Sequence, residues 1–189
     1  MTIMTVKKVG AVSVLAAALL ASSGAALAAA ASPSSAKVTV TATVVESTCT
    51  AGWDTSGVEV NLGKVSTTTM AKKGDIGASK PFSLSLTGCS DISNVNISAS
   101  GTADATDNQA FANTGTAKGV AVELFGGDGQ TGQLLPNNST SVLTYPVTNG
   151  TATLSLLAKL ERTAADDAQA DDFAAGEVNS VANLNLTYE

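Results

Sequence analysis

Two cysteines, Cys49 and Cys89, are the residues of this 189-residue chain whose chemistry is easiest to assign from type and spacing. They do not form a CxxC pair, and the chain contains no histidine, so neither a redox motif nor a zinc site is favoured. In an exported chain, an even pair of cysteines is typical of a disulfide. Closing a loop of about 40 residues stabilises a fold by roughly 4 kcal/mol in the chain-entropy model. We therefore predict a Cys49–Cys89 disulfide.

The other reactive side chains form no recognisable catalytic group. Without histidine there is no Ser-His-Asp or Cys-His arrangement. Asp166, Asp167, Asp171 and Asp172 could offer oxygens to calcium, but they lack EF-hand-like spacing, and acidic runs are usually solvated. The stretch Gly126–Gly132 lacks the Lys-Ser/Thr of a phosphate-binding loop and is better explained as a wide hairpin turn. The sequence predicts a protein that is not an enzyme, with no catalytic residue, no metal and no cofactor.

The N-terminal segment has the organisation of a secretory signal peptide. Lys7 and Lys8 precede an apolar core at Val9–Ala21, and Ala26–Ala28 fits the small-x-small rule for cleavage. The alternative, a membrane anchor, would need about 20 apolar residues, which is longer than this run. We assign residues 1–28 to the signal peptide, with a second acceptable cleavage point after Ala30.

Composition then limits the class of the mature chain. Removing residues 1–28 leaves 189 − 28 = 161 residues, with 10 − 2 = 8 basic against 16 acidic side chains. The resulting charge of about −8 argues against nucleic acid and anionic membranes as partners. Ser, Thr, Ala, Val and Gly dominate, a composition that suits strands and turns. Aromatic residues are scarce, so the core must be built from Val, Leu, Ile and Ala.

The pattern along the chain predicts an all-β sandwich. Short stretches that suit strands alternate with turns rich in Gly and Asn, and no long helical period is present. Asn149-Gly150 is the sharpest hairpin signal, since a type I′ turn needs φ > 0 at both central residues. The acidic stretch 162–175 is expected to be a solvated loop. The predicted strands are Lys37–Val45, Gly57–Leu62, Lys80–Leu86, Val95–Ser100, Val120–Phe125, Ser141–Val147, Thr151–Leu160 and Val178–Tyr188.

Two predicted strands lie at the two ends of the mature chain. The C-terminal strand places every second residue on one face, and the N-terminal strand alternates in the same way. Exposed strand edges invite pairing with another chain, so this arrangement suggests a protein that joins to copies of itself. The residues on the apolar faces are Val38, Val40, Ala42 and Val44 near the N-terminus, and Val178, Ser180, Ala182, Leu184, Leu186 and Tyr188 at the C-terminus.

Over essentially the whole mature chain, the sequence resembles the chaperone–usher pilins, the major rod subunits of type 1-like bacterial fimbriae. The segments that carry the resemblance are KVTVTATVVESTC (37–49), PFSLSLTGC (81–89) and GVAVEL (119–124). The C-terminal motif adds a glycine fourteenth from the end, Gly176, and a penultimate tyrosine, Tyr188. The combination is specific, whereas any one of these elements alone would be weak.

The resemblance implies an immunoglobulin-like sandwich that lacks its final strand and is completed by a donor strand from a neighbouring subunit. A periplasmic chaperone would fill the open groove first, and an outer-membrane usher would guide assembly at the cell surface. The donor residues would be Val38, Val40, Ala42 and Val44. The acceptor groove and C-terminal motif would comprise Gly176, Val178, Ala182, Leu184, Leu186 and Tyr188.

The implied organisation is a signal peptide (1–28), a donor-strand extension (29–46) and a pilin domain (47–189). Family members often carry a glycine within the donor strand, and the matching residue here is Ala42, which intrudes by one methyl group. Two alternatives to a major fimbrial subunit stay open. One is a minor or adaptor pilin, and the other is a self-contained secreted β-sandwich that binds a sugar or a protein.

Overall fold

Two antiparallel sheets form the domain, which we describe from a computed structural model for residues 48–54, 56–169 and 172–189. The expected signal peptide (1–28) and donor strand (29–46, with Val38, Val40, Ala42 and Val44) lie outside the described residues. The strands are β1 (Thr50–Ala51), β2 (Ile76–Thr87), β3 (Asn94–Ser100), β4 (Phe111–Ala112), β5 (Val120–Gly126), β6 (Gly132–Leu134), β7 (Leu143–Pro146), β8 (Ala152–Arg162) and β9 (Asn183–Tyr188).

The larger sheet has the order β1-β2-β8-β5-β4, with β6 pairing to β5, and the smaller sheet has the order β7-β3-β9. Within the larger sheet, β8 lies between β2 and β5 and pairs with both of them over most of its length. In the smaller sheet β3 is central, and β9 is at one edge. The predicted all-β class is therefore confirmed.

Alternation along the central strands builds the core. In β8 the buried residues Leu154, Leu156, Ala158 and Leu160 alternate with less buried ones, as the pleat of a strand requires. The facing strand β3 contributes buried side chains in the same rhythm. Aliphatic residues from both sheets make up most of the main cluster, as the scarcity of aromatic residues predicted, but buried Phe111 and Tyr145 also belong to it.

The strand predictions differed in accuracy: β2 begins at Ile76, four residues before the predicted Lys80, although it has partners on both sides. The bounds of β3 and β5 agree with the sequence to within one residue. The prediction for residues 57–62 was wrong, since they form no strand in the described structure. The C-terminal strand begins at Asn183 and not at Val178, because β3 ends opposite Asn183. The short strands β1, β4 and β6 were not predicted.

The Asn149-Gly150 turn forms, but the strands on either side of it enter different sheets. Both residues have positive φ, 52° and 72°, and Thr148 and Thr151 exchange backbone hydrogen bonds of 2.8 and 3.1 Å. Beyond this bridge, β7 pairs with β3, whereas β8 pairs with β2 and β5. The turn is therefore a crossing between the layers, and the expectation of a paired hairpin was wrong.

The two loop predictions agree with the structure except at the start of the acidic stretch, where Arg162, Thr163 and Ala164 are buried and not solvated. Gly126 pairs with Gly132 across the turn between β5 and β6, so the glycine-rich stretch is a hairpin turn. The described part of 162–175 contains turns and no helix after β8 ends. Among the described residues, no helix is long and apolar enough to cross a membrane.

The predicted disulfide is present. Cys49 and Cys89 are bonded with their Cα atoms 4.4 Å apart, and the adjoining β1 pairs with the end of β2. The bond therefore ties the residues just before β1 to those just after β2.

Candidate functional site

An open groove of about 960 Å³ runs beside the last strand. One side, the first wall, is the segment 57–65, and the other side, the C-terminal wall, is the segment 173–186. The floor is made by the inner faces of β2, β5 and β8. Its apolar side chains are Phe82, Leu84, Val120, Val122, Leu124, Ala158 and Leu160.

The edge of β9 that faces the groove carries free backbone groups. Asn94 of β3 and Glu189 exchange two backbone hydrogen bonds, of 2.9 and 3.0 Å. Successive residues of an antiparallel strand direct their N–H and C=O groups to opposite sides. Tyr188, Leu186 and Leu184 therefore direct these groups away from β3, where the described residues place no further strand. The groove thus offers both an apolar floor and a row of hydrogen-bonding groups.

The first wall explains why residues 57–62 read as a strand in the sequence. Val60, Leu62 and Val65 are half-buried and pack on the core, whereas Val58 remains 50% exposed. The alternation suits a strand, but no strand pairs with this segment in the described structure. A segment inserted between the first wall and β9 would give both edges a partner.

The C-terminal wall is anchored to the loop before β5. Ala117 N donates to Glu177 O at 3.0 Å, and Glu177 N donates to Thr116 Oγ1 at 2.9 Å. A Cβ on Gly176 would lie 2.6 Å from the carbonyl carbon of Thr116 and also overlap the backbone nitrogen of Ala117. Only glycine allows this approach, which gives the motif glycine a structural reason.

Most of the residues expected in the groove do line it. The side chain of Val178 is 37% exposed. Every second residue after it, from Ser180 to Leu186, is half-buried. Tyr188 belongs to β9 and is half-buried against the core, but it does not line the cavity. The expected residues found along the groove are Gly176, Val178, Ala182, Leu184 and Leu186.

Several groove residues were missed by the sequence reasoning. Trp53, the only tryptophan of the chain, lines the groove beside the first wall, and Met70 and Phe173 line it at the Val65 end. The hydroxyl of Ser180 is buried there without a hydrogen-bond partner among the described residues. The alternation of the C-terminal segment placed Ser180 on the same face as Val178 and Ala182, but the expected groove residues did not include it. The others lie outside any strand pattern and could be found only from the fold.

A pair of carboxyl groups lies on the opposite face of the larger sheet. Glu161 of β8 is 9% exposed, and its Oε2 is buried without a hydrogen-bond partner in the described part of the chain. Burial, followed by the nearby charges of Glu123 and Asp107, raises the pKa of Glu161 to about 7. Burial also raises the pKa of Glu123, which accepts a hydrogen bond of 3.0 Å from Gln133. Because Glu123 and Glu161 lie on the face of the larger sheet opposite the groove, their protonation does not change the charge of the groove lining.

The sequence and the fold both match known fimbrial proteins. Residues 35–189 match the family described as Fimbrial protein. The chain is 31% identical over 151 residues to the S-fimbrial adhesin protein SfaS of Escherichia coli O6:K15:H31, covering 80% of this chain and 83% of that protein.

Two solved structures share the fold at low sequence identity. A subunit from the structure of a chaperone–usher pilus has a TM-score of 0.62 at 20% identity, with 83% of this chain and 97% of that chain covered. The P pilus rod subunit PapA has a TM-score of 0.59 at 17% identity, with 75% of this chain and 99% of that chain covered. The family match and the 31% identical relative show that the chain belongs to the fimbrial protein family, a family of fimbrial subunits and not of enzymes.

Proposed function

We propose that this chain is a structural subunit of a bacterial surface fimbria and polymerises by donor-strand complementation. The observation that carries the proposal is the free edge of β9 beside an apolar groove. The strand that fills it would be the extension 29–46 of the next subunit. Its side chains Val38, Val40, Ala42 and Val44 would enter the groove.

Strand addition fits the chemistry of the groove. A donor strand would satisfy the N–H and C=O groups of Leu184, Leu186 and Tyr188, each net hydrogen bond stabilising the complex by about 1 kcal/mol. Each valine that leaves water would contribute roughly 1.5–3 kcal/mol. The donor would also pair with the first wall, whose alternating residues have no strand partner in the described structure.

The contact would propagate without closing. Each chain has one extension and one groove, so the contact is head-to-tail, and an open contact of this kind generates a fibre. The Cys49–Cys89 bond would fix the base of the extension on its own domain. The donor would then be free to reach a neighbour while the domain keeps its shape.

The open groove would also have to be protected by other proteins while the chain is exported. An apolar groove with unpaired backbone groups is a risk for aggregation. We infer that residues 1–28 direct export, that a periplasmic chaperone covers the groove, and that an outer-membrane usher exchanges it for the next subunit at the cell surface.

A major subunit in the fibre shaft would need both a donor and an acceptor, and the proposed roles of residues 29–46 and of the groove would supply both. The 31% identity to a protein named as an S-fimbrial adhesin favours a second candidate, a minor or adaptor pilin. Quantifying subunits in sheared fibres distinguishes the two, because a major subunit dominates the mass and a minor subunit is present in a few copies.

Thermal unfolding of residues 46–189, with and without a peptide of residues 29–46, tests the proposal. We expect a large, slowly acquired rise in melting temperature, together with a change in Trp53 fluorescence as the groove fills. A peptide with Val40→Asp should fail, whereas Thr41→Asp on the outer face should work. A domain that is already stable and indifferent to all three peptides would be a self-contained sandwich, and the proposal would be wrong.

A further inference from the structure

Arg162, the last residue of β8, is a buried cation held by backbone carbonyls. It is 5% exposed, and its Nη1 donates to the carbonyl oxygens of Met70 and Ala71 at 3.0 and 2.7 Å. Its Nε and Nη2 donate to the carbonyl oxygens of Ala164 and Ala165. All its side-chain hydrogen bonds to described residues therefore go to main-chain oxygens, which leaves its charge to be balanced by dipoles.

The guanidinium also faces an aromatic ring. Its central carbon lies 4.2 Å from the centroid of Phe173, within the range of a cation–π contact, and such contacts strengthen when they are removed from water. Phe173 packs with Leu160 and Val120. The cation is thus enclosed by carbonyls on one side and by a ring on the other.

Arg162 connects the two sides of the groove. Met70 lies five residues after the end of the first wall, packs in one cluster with Val65 of that wall and lines the groove, and Phe173 begins the C-terminal wall. The two residues are 173 − 70 = 103 positions apart, yet both contact one side chain. Burying a charge is costly unless every donor is satisfied. An aliphatic residue could fill this space, but it would form neither the hydrogen bonds to residues 70–71 nor the cation–π contact with Phe173.

We propose that Arg162 is a positioning residue of the groove: its contacts with Met70, Ala71 and Phe173 hold the first wall and the C-terminal wall together at one end and set how tightly that end binds a donor strand. The inference rests on the proposed function. If Arg162 fixes the width of this end of the groove, replacing it should weaken the binding of one end of the donor strand and leave the other end unaffected.

A double-mutant cycle on fibres assembled from the mature full-length chain tests this. Arg162→Met is combined with Val38→Ala and, separately, with Val44→Ala. These two substitutions remove methyl groups at opposite ends of the donor strand. The readout is the rate at which fibres dissociate in denaturant. We expect Arg162→Met to speed dissociation roughly thirtyfold, the ratio that follows from losing one desolvated cation–π contact. We also expect it to couple with only one of the two donor substitutions.

Lys159→Met is the matched control. Lys159 lies on the same strand, and its Nζ is 3.8 Å from the centroid of the Phe125 ring, so the substitution also removes a positive charge and a cation–π contact. Phe125 does not line the groove. We expect this variant to show no coupling with either donor substitution.

The outcomes distinguish a failure of the inference about Arg162 from a failure of the proposed function. Additive effects with both donor substitutions would mean that Arg162 only stabilises the domain, and would overturn the inference. Should Arg162→Met assemble no fibres, Phe173→Leu repeats the cycle with the guanidinium and its carbonyl bonds retained, and the same additivity would decide against it. Wild-type fibres insensitive to both Val38→Ala and Val44→Ala would contradict the proposed function itself.

Discussion

Replacing Gly176 by alanine should destabilise the C-terminal wall through a clash with backbone atoms. The added Cβ would lie 2.6 Å from the carbonyl carbon of Thr116 and 2.7 Å from its Oγ1. Ordinary contacts are near 3.5–4 Å, so the wall must move. Overpacking of this kind costs about 1–3 kcal/mol, and each hydrogen bond lost between Glu177 and the 116–117 loop adds about 1 kcal/mol. We expect a total loss of about 2–4 kcal/mol.

Urea unfolding of the mature chain measures this loss as a lower midpoint with an unchanged slope. Ala175→Ser, at an exposed neighbouring position, should change the free energy of unfolding by less than about 0.5 kcal/mol. Thr116→Ala removes one hydrogen bond, from Glu177 N at 2.9 Å, and should cost about 1 kcal/mol. A Gly176→Ala variant as stable as the Ala175→Ser control would refute the close approach as the reason for glycine.

Two further predictions concern stability. Since the pKa of Glu161 is raised from 4.5 to about 7, mainly by burial and then by Glu123, the unfolded state loses this proton first, and stability falls as pH rises through that window. Glu161→Gln should reduce this fall in the free energy of unfolding between pH 4.5 and about 7, as measured by urea titrations at pH values below and above that range. An unchanged pH profile would contradict the burial of this carboxyl. The double variant Cys49→Ala/Cys89→Ala should lose about 4 kcal/mol, from a loop of 40 residues; a loss under about 1 kcal/mol in the same assay would contradict the chain-entropy argument.

The core strands were predictable because burial on one or both faces leaves a local pattern. In β3 the alternation of buried and less buried residues is complete, and in β5 it holds from Glu123 to Gly126. The predicted bounds of both strands agree with the structure to within one residue. The disulfide followed from cysteine number and from the signal peptide. These features depend on residue type and spacing alone.

The groove was only half predictable. The C-terminal segment alternates up to Tyr188, which predicts one continuous strand. The residues before Asn183 instead bond to the loop before β5 and not to β3, which no local pattern shows. The first wall has the residue types of a strand but no strand partner in the described structure, so propensity gave the wrong structure there.

The contacts of Arg162 could not be predicted from the sequence. They join Met70, Arg162 and Phe173, which are far apart in the chain and belong to no motif. An arginine at the end of an apolar strand reads as a solvated terminus until the fold brings two loops over it. The same reason hid Trp53 as a groove residue.

The length of fibres assembled from wild-type chains mixed with Val40→Asp chains tests the central claim most directly. The variant keeps an intact groove but would carry a charge on the inward face of its donor, so it can accept a neighbour and cannot join the next one. We expect mean fibre length to fall in inverse proportion to the mole fraction of Val40→Asp, with the variant found only at fibre ends, whereas Thr41→Asp leaves length unchanged. Fibres that include Val40→Asp throughout at full length would contradict polymerisation by donor-strand complementation.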